Sequence, residues 1–252
     1  MTDALDLEET ALEAYEHAGD DSDWDRVIPF PGFPKLKTGN RSTLKNPENA
    51  EFVDIASTVL PIEFQGREVQ LEAHAFEDET VSFQAMAVVH RGKPSTTSPQ
   101  NVPLVRVHSG CVTGDIFHSL RCDCYAQLQL SLDKIINSEL GIIIYLPHHE
   151  GRGIGLVNKI KAYAEQDRGL DTVDANVSIG APIDARDYQL PAKILKHLGY
   201  ESIRLLSNNP AKFKALAKHG IEVMEQVETK TSPCEHNARY LSTKRDRMDH
   251  LL

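Results

Sequence analysis

The sequence predicts an α/β protein, α+β in its mixture, with an antiparallel β region followed by an α/β half. Three observations carry this. Residues 69–76 (VQLEAHAF) and 81–89 (VSFQAMAVV) alternate apolar and polar side chains, the period of strands with one face in a core. From residue 126 onward, apolar residues at helical spacing are interleaved with short apolar runs such as GIIIYLP (141–147). Helix punctuation falls where those runs meet, as in Asn209, Pro210 and Gly220 around PAKFKALAKHG.

Taken in order, the chain opens on charge. Residues 1–25 hold ten Asp and Glu and no Lys or Arg. Of 37 acids in the chain, 27 then remain to face 27 Lys and Arg, so the rest is neutral overall. The acidic stretch, with Leu5, Ala11, Leu12 and Tyr15 in weak helical register, reads as a solvated tail or frayed helix, with a docking element as the alternative. Trp24 and the proline-rich IPFPGFPKL are expected to be an extended linker or strap. Residues 1–45 thus form an extension and 46–252 one folded domain. No apolar run approaches the roughly 18–20 residues that span a membrane, and MTDALDLEET lacks the start of a signal peptide. Four cysteines are too few for a disulfide scaffold, so a cytoplasmic protein is expected. A balanced domain gives no support for duplex nucleic acid, which needs a basic face.

Residues 50–107 read as β structure, with a polar turn at Glu77-Asp78-Glu79 and a Gly/Pro/Ser/Thr loop over 91–103. PLVRVHS (103–109) is a further strand. AQLQLSLDKIINSELG (126–141) is a predicted helix, 141–147 a buried strand, and NKIKAYAEQDRG (158–169) a second helix. Residues 169–190, rich in Asp, Gly and Asn, are predicted to be mostly loop. A helix at AKILKHLG, a strand at 202–207 and a helix from Pro210 complete the pattern.

Chemistry gathers at CVTGDIFHSLRCDC (111–124), where Cys111, Cys122 and Cys124 are spaced C-x10-C-x-C. Three thiolates suit zinc with a fourth position open, the arrangement of catalytic rather than structural sites; reduced, inert thiols are the bland alternative. Strand 103–109 delivers Arg106, His108 and Ser109 to the mouth of this stretch, although a lone His108 is more often structural. HHEGRGIGL follows the strand at 141–147. Gly151, Gly153 and Gly155 let backbone amides approach a phosphate at a helix start, or simply permit tight packing. Glu150 and Arg152 add an acceptor for N–H groups of a guanine edge and a planar fork for phosphate. Asp184, Arg186 and Asp187 fall together, a constellation that as a surface pair would be worth little. Ser207 and Lys212 flank a second helix N-terminus suited to an anion.

Five segments in this order, RVHSGCVTGDIFHSLRCDC, HHEGRGIGLVNKIKAYAEQD, IGAPIDARDYQ, RLLSNNPAK and NARYLSTKRDRMDHLL, resemble GTP cyclohydrolase II of riboflavin biosynthesis. The resemblance covers residues 104–252, with weaker similarity before. It implies that 46–252 is a catalytic domain that hydrolyses GTP to formate, pyrophosphate and 2,5-diamino-6-ribosylamino-pyrimidinone 5′-phosphate, with Zn2+ and Mg2+, as a homodimer. No fused dihydroxybutanone-phosphate synthase domain is expected in a chain of this length. By position, Cys111, Cys122 and Cys124 would bind zinc. Arg186 matches the family's nucleophile toward the α-phosphorus and Asp184 its proton acceptor. A guanidinium with a pKa above about 12 is a poor nucleophile, so stabilising the leaving pyrophosphate is the more conservative role. Tyr163 matches the catalytic tyrosine. Arg106, Val107, His108, Ser109, Gln127, Glu150, Gly151, Arg152, Thr172, Ser207 and Lys212 match GTP-contacting positions.

Departures cluster around the nucleotide. Gly110 stands where the family usually has glutamate, His148, His149 and Gly153 where arginine, glutamine and asparagine are usual, and Ala211 where lysine is. His148 and His149 could be extra metal ligands, but surface or packing roles are expected. Two alternatives remain: a paralogue acting on another nucleotide (as in pyrimidine catabolism) or stopping at a formylated intermediate, and a nucleotide-binding zinc module without catalysis.

Overall fold

Apolar residues on both faces of its central strands decide how this sheet is covered. The computed structural model describes residues 52–78, 83–93 and 102–248; the acidic tail, the proline-rich stretch, residues 79–82 and most of the 91–103 loop lie outside them. Three antiparallel strands come first: β1 (Phe52–Phe64), β2 (Arg67–Asp78) and β3 (Phe83–Arg91). β4 (Leu104–Ser109) and β5 (Leu140–Leu146) follow, then β6 (Ser202–Leu206) and β7 (Glu222–Val227). All seven form one sheet in the order β1-β2-β3-β5-β4-β6-β7. β3 meets β5 antiparallel, and β5, β4, β6 and β7 run parallel. The predicted change from an antiparallel to an α/β half is therefore a seam between β3 and β5 within one sheet.

The helices are α1 (Cys124–Ile136), α2 (Gly155–Asp167), α3 (Thr172–Ser178), α4 (Gln189–His197), α5 (Pro210–Lys218) and α6 (Ala238–Met248). One face of the sheet, through Val105, Val107, Ile142, Ile144, Ile203 and Leu205, packs on Leu190, Ile194 and Leu195 of α4 and Leu216 of α5. The other, through Leu104, Ile143 and Leu206, packs on Ile135 and Ile136 of α1. Parallel strands covered on both sides read as continuous apolar runs, which is why GIIIYLP lacks alternation.

Several boundaries differ from the sequence reading. α1 starts at Cys124 and stops at Ile136, not 141. Asn137 Nδ2 and Ser138 Oγ donate to the Asp133 and Ile135 carbonyls and close the helix. The 169–190 stretch contains α3, whose Asp171 cap accepts from the Val173 and Asp174 amides. A seven-residue polar helix has too little periodicity to stand out in such a segment. α2 and α4 each begin three residues earlier than expected, at Gly155 and Gln189. β7 and α6 were not anticipated: β7 is a largely exposed edge strand, and α6 is strongly polar.

β4 leads through α1, on one face, to β5, whereas β6 leads through α5, on the other face, to β7. The chain thus leaves the carboxyl ends of neighbouring β4 and β6 in opposite directions, which opens a crevice there.

Candidate active site

That crevice holds a cavity of about 1010 Å³ including its open mouth. β4 contributes Arg106, His108 and Ser109; the turn after it contributes Cys111, and the start of α1 Cys124 and Gln127. A 3-10 turn after β5 (Pro147–Arg152) brings His149, Gly151 and Arg152; α2 brings Lys159 and Tyr163. Thr172, Arg186, Ser207, Asn208, Lys212, Tyr240 and Lys244 complete the wall. Of the residues that the resemblance assigns to metal, catalysis or GTP, Val107, Glu150 and Asp184 are not in that wall. Val107 is core, and its carbonyl accepts from Lys212 Nζ at 2.9 Å.

The three sulfurs converge: Cys111, Cys122 and Cys124 Sγ lie within 4.8 Å of one another, the only such group among the described residues. Cys111 and Cys122 Sγ are 3.8 Å apart. Two sulfurs on a tetrahedral zinc, each about 2.3 Å from the ion, stand about 3.8 Å apart. The donor set and spacing therefore fit zinc. The approach depends on Gly114, where a Cβ would lie 2.9 Å from Cys122 Sγ and 3.0 Å from Cys111 Sγ. The Gly114 amide donates to Cys111 Sγ at 3.3 Å. Hydrogen bonds from Cys122 and Cys124, aided by Lys159, hold the Cys111 thiol far below its usual range. The same sharing pushes Cys122 up to about 11 and Cys124 well above the usual thiol value. The Lys159 ammonium and the Gly114 amide, both donating to Cys111 Sγ, favour negative charge on that sulfur. His148 and His149 stand outside this group: His148 stacks on Phe83, and His149 packs edge-on to Tyr188.

Lys159 was not found from sequence. Its ammonium donates to Cys111 Sγ at 3.0 Å and to Glu150 Oε1 at 2.6 Å. Burial works against its charge, but these two bonds outweigh it and raise its pKa. Glu150 Oε2 accepts from the Val112 amide at 2.7 Å, and Oε1 also accepts from the Gly151 amide. Both oxygens face protein donors rather than the cavity. One available signal was spacing: Lys159 and Tyr163 are four residues apart, on one helix face. Asp115 is a second such residue. It accepts from the Cys111 amide and from Tyr145 OH, and meets His108 Nε2 at 3.1 Å. Tyr163 keeps its proton, because burial raises its pKa more than Lys159 lowers it.

The cavity wall also carries cations. Arg106 donates to the Leu206 carbonyl and to Gln127 Oε1, and Lys212 to the Val107 carbonyl, so both charges rest on neutral acceptors. Burial lowers the Lys212 pKa, and Arg106, Arg186 and Lys244 lower it further. Arg152 Nη1 and Nη2 are buried with no hydrogen-bond partner among the described residues. Arg152 (φ +64°) lies between left-handed Gly151 and Gly153, and its carbonyl accepts from the Ala185 amide. A Cβ at Gly153 would meet the Ala185 carbonyl carbon at 3.0 Å, so glycine admits the 184–187 segment. Arg186 is gripped by Asp184, Nε to Oδ1 at 2.9 Å and Nη2 to Oδ2 at 2.5 Å. Burial opposes that charge, and the Asp184 bond overcomes it, raising the guanidinium pKa.

The model of the GTP cyclohydrolase II family matches residues 54–228. The chain belongs to the GTP cyclohydrolase II family. It is 54% identical over 149 residues to GTP cyclohydrolase-2 of Streptomyces coelicolor, covering 59% of this chain and 67% of that protein. It is 44% identical over 196 residues to the riboflavin biosynthesis protein RibBA of Endomicrobium trichonymphae, 78% of this chain and 47% of that one. GTP cyclohydrolase-2 of Archaeoglobus fulgidus is 51% identical over 149 residues, 59% of this chain and 39% of that protein. The chain thus spans less than half the length of that RibBA protein and of the Archaeoglobus protein.

Two outcomes follow from the ionised groups. Lys159→Met leaves Glu150 buried without its cation and should destabilise the metal-free protein by about 3–5 kcal/mol, read by urea unfolding; a loss near zero would show that the pair is solvated. Zinc uptake by metal-free protein at pH 7 should expel about two protons per ion, from Cys122 and Cys124, and affinity should weaken as pH falls. Calorimetry in buffers of different ionisation enthalpy measures the count, and a value of zero would contradict the assigned thiols.

Proposed function

We propose that this chain hydrolyses GTP, opening the imidazole ring with release of formate and pyrophosphate, as the first step of riboflavin biosynthesis. The observation that carries the reading is the make-up of one cavity. Three converging sulfurs and the cationic side chains Arg106, Arg152, Arg186 and Lys212 line the same space. A purine ring needs the first and a triphosphate the second. The names of the curated relatives support the same activity.

Cys111, Cys122 and Cys124 would hold the zinc ion, which when bound supplies Lewis acidity and activates water near neutral pH. The protein's own groups do the rest. Tyr163, protonated and beside the sulfurs, orients water or donates a proton during deformylation. Arg186 stays charged in the grip of Asp184 and stabilises the leaving pyrophosphate, a preorganised cation rather than a nucleophile. Asp184 is held ionised: its burial favours the neutral acid, and Arg186 outweighs that.

Ser207, Lys212 and the α5 N-terminus bind phosphate oxygens, and Mg2+, when bound, would supply further charge neutralisation. Arg106, His108, Ser109, Gln127, Gly151, Arg152 and Thr172 line the space for the remainder of the nucleotide. Val107 and Glu150 act through others, Val107 by holding Lys212 and Glu150 by holding Lys159. The molecule works as a homodimer; exposed Leu156, Val157 and Ile160 on α2 are consistent with a covered face.

Incubation of the purified protein with GTP, zinc and magnesium, following formate and pyrophosphate separately, tests the reading. Both should appear. Pyrophosphate without formate would mean an arrested reaction, and neither product would reject the assignment. Cys122→Ser should lose bound zinc and ring opening together; full metal content by elemental analysis with normal formate release would sink the metal role. Tyr163→Phe should slow formate release about 100-fold and pyrophosphate release much less. Equal slowing of both would make Tyr163 a binding residue.

A further inference from the structure

His149 is 1% exposed, yet both of its ring nitrogens are engaged. Nε2 lies 2.8 Å from the Asp187 carbonyl oxygen and Nδ1 lies 3.2 Å from Ser109 Oγ. A carbonyl only accepts, so Nε2 carries a proton. Burial, with His148, Arg186 and Lys212 nearby, holds the ring neutral, its pKa lowered to about 3. Nδ1 is then a bare lone pair. The single hydroxyl proton of Ser109 must go to it, which leaves Ser109 Oγ a pure acceptor. Arg186 Nη1 donates to that oxygen at 3.3 Å. Arg186 is thereby fixed from two sides: Asp184 takes Nε and Nη2, and Ser109 takes Nη1. The tie from Nε2 to Asp187 also pins the backbone next to Arg186. Edge contacts with Tyr188 and His148, at 5.4 and 4.6 Å between ring centroids, hold the imidazole plane.

We propose that His149 is a positioning residue, which orders the Ser109 hydroxyl and the 184–187 segment so that the Arg186 guanidinium meets the phosphate end of the nucleotide. The assignment rests on the hydrolysis of GTP proposed above. Its chemistry is specific: the residue must offer one donor and one acceptor on opposite sides and must not gain charge. Glutamine meets that requirement; leucine fills the space without meeting it.

The experiment compares His149→Gln and His149→Leu with the parent protein, loaded with zinc and magnesium. His149→Leu should retain full metal content and lower kcat for pyrophosphate release about 30-fold, with KM changed less than about threefold. His149→Gln should recover kcat to within about threefold of the parent. In an Arg186→Ala background, His149→Leu should cost nothing further, because the two act as a unit. Equal loss in both His149 variants, or additive losses with Arg186→Ala, would overturn the inference. Nitrogen NMR of 15N-histidine-labelled parent protein gives a readout independent of turnover and of whether His149→Leu folds. The His149 signal, assigned by its absence from His149→Gln, should report a neutral Nε2–H ring throughout pH 5–8. An Nδ1–H tautomer or a ring protonated at pH 6 would overturn the inference by itself. Parent protein silent on GTP would instead reject the hydrolysis reading, with the nitrogen shifts still deciding the hydrogen-bond chain at His149.

Discussion

A side chain at position 114 would occupy the space between Cys111 Sγ, Cys122 Sγ and Cys124 Cβ, each within 3.0 Å of where a Cβ would stand. The sulfur cluster therefore depends on a glycine inside the loop that carries the first thiol. Three converging sulfurs also need charge control. Lys159 provides it from α2, and Glu150 holds Lys159 in place from the turn after β5. The Val112 and Gly151 amides close the same network onto Glu150. Buried ions cost free energy unless each has partners. Here the partners come from the very loops that must be aligned, so satisfying the charges and building the site are one event.

The cationic wall follows a different logic. Arg106, Arg152 and Lys212 are buried or half-buried, and the hydrogen bonds of Arg106 and Lys212 go to neutral acceptors. Lys212 is pushed down by burial and by its cationic neighbours. Such burial disfavours the charge on both Arg106 and Lys212. The crevice between β4 and β6 makes this tolerable, because the strand ends and the α5 N-terminus already present dipoles to the same space. Arg186 differs in having its own carboxylate, which fixes its orientation rather than leaving it free for the ligand.

Much of this was legible in the residues. The thiol spacing, the glycine turn and the helix start at Asn209-Pro210 each state a local physical requirement, and all three meet at the cavity. Lys159 was not legible, because a lysine in a polar helix reads as solvated until the helix is docked. The protein role of Glu150 was not legible either: beside glycines it suggests a ligand contact, and the structure shows both its oxygens accepting from protein donors. α3 was hidden by its brevity and polarity, and β7 and α6 by exposure, since hydrophobic period marks only elements with a buried face.

The sequence by itself determined the elements with a buried apolar face, the thiol set and the family resemblance, because these rest on local spacing and on motifs that survive without knowledge of contacts. Only the tertiary structure decided which charged groups face the cavity, which sulfur favours negative charge, and how His149, Ser109 and Arg186 are chained. Those outcomes depend on burial and on distances between residues far apart in the chain, 48 positions for Lys159 and Cys111 and 77 for Arg186 and Ser109. Desolvation and hydrogen-bond geometry act across such separations only once the sheet has closed.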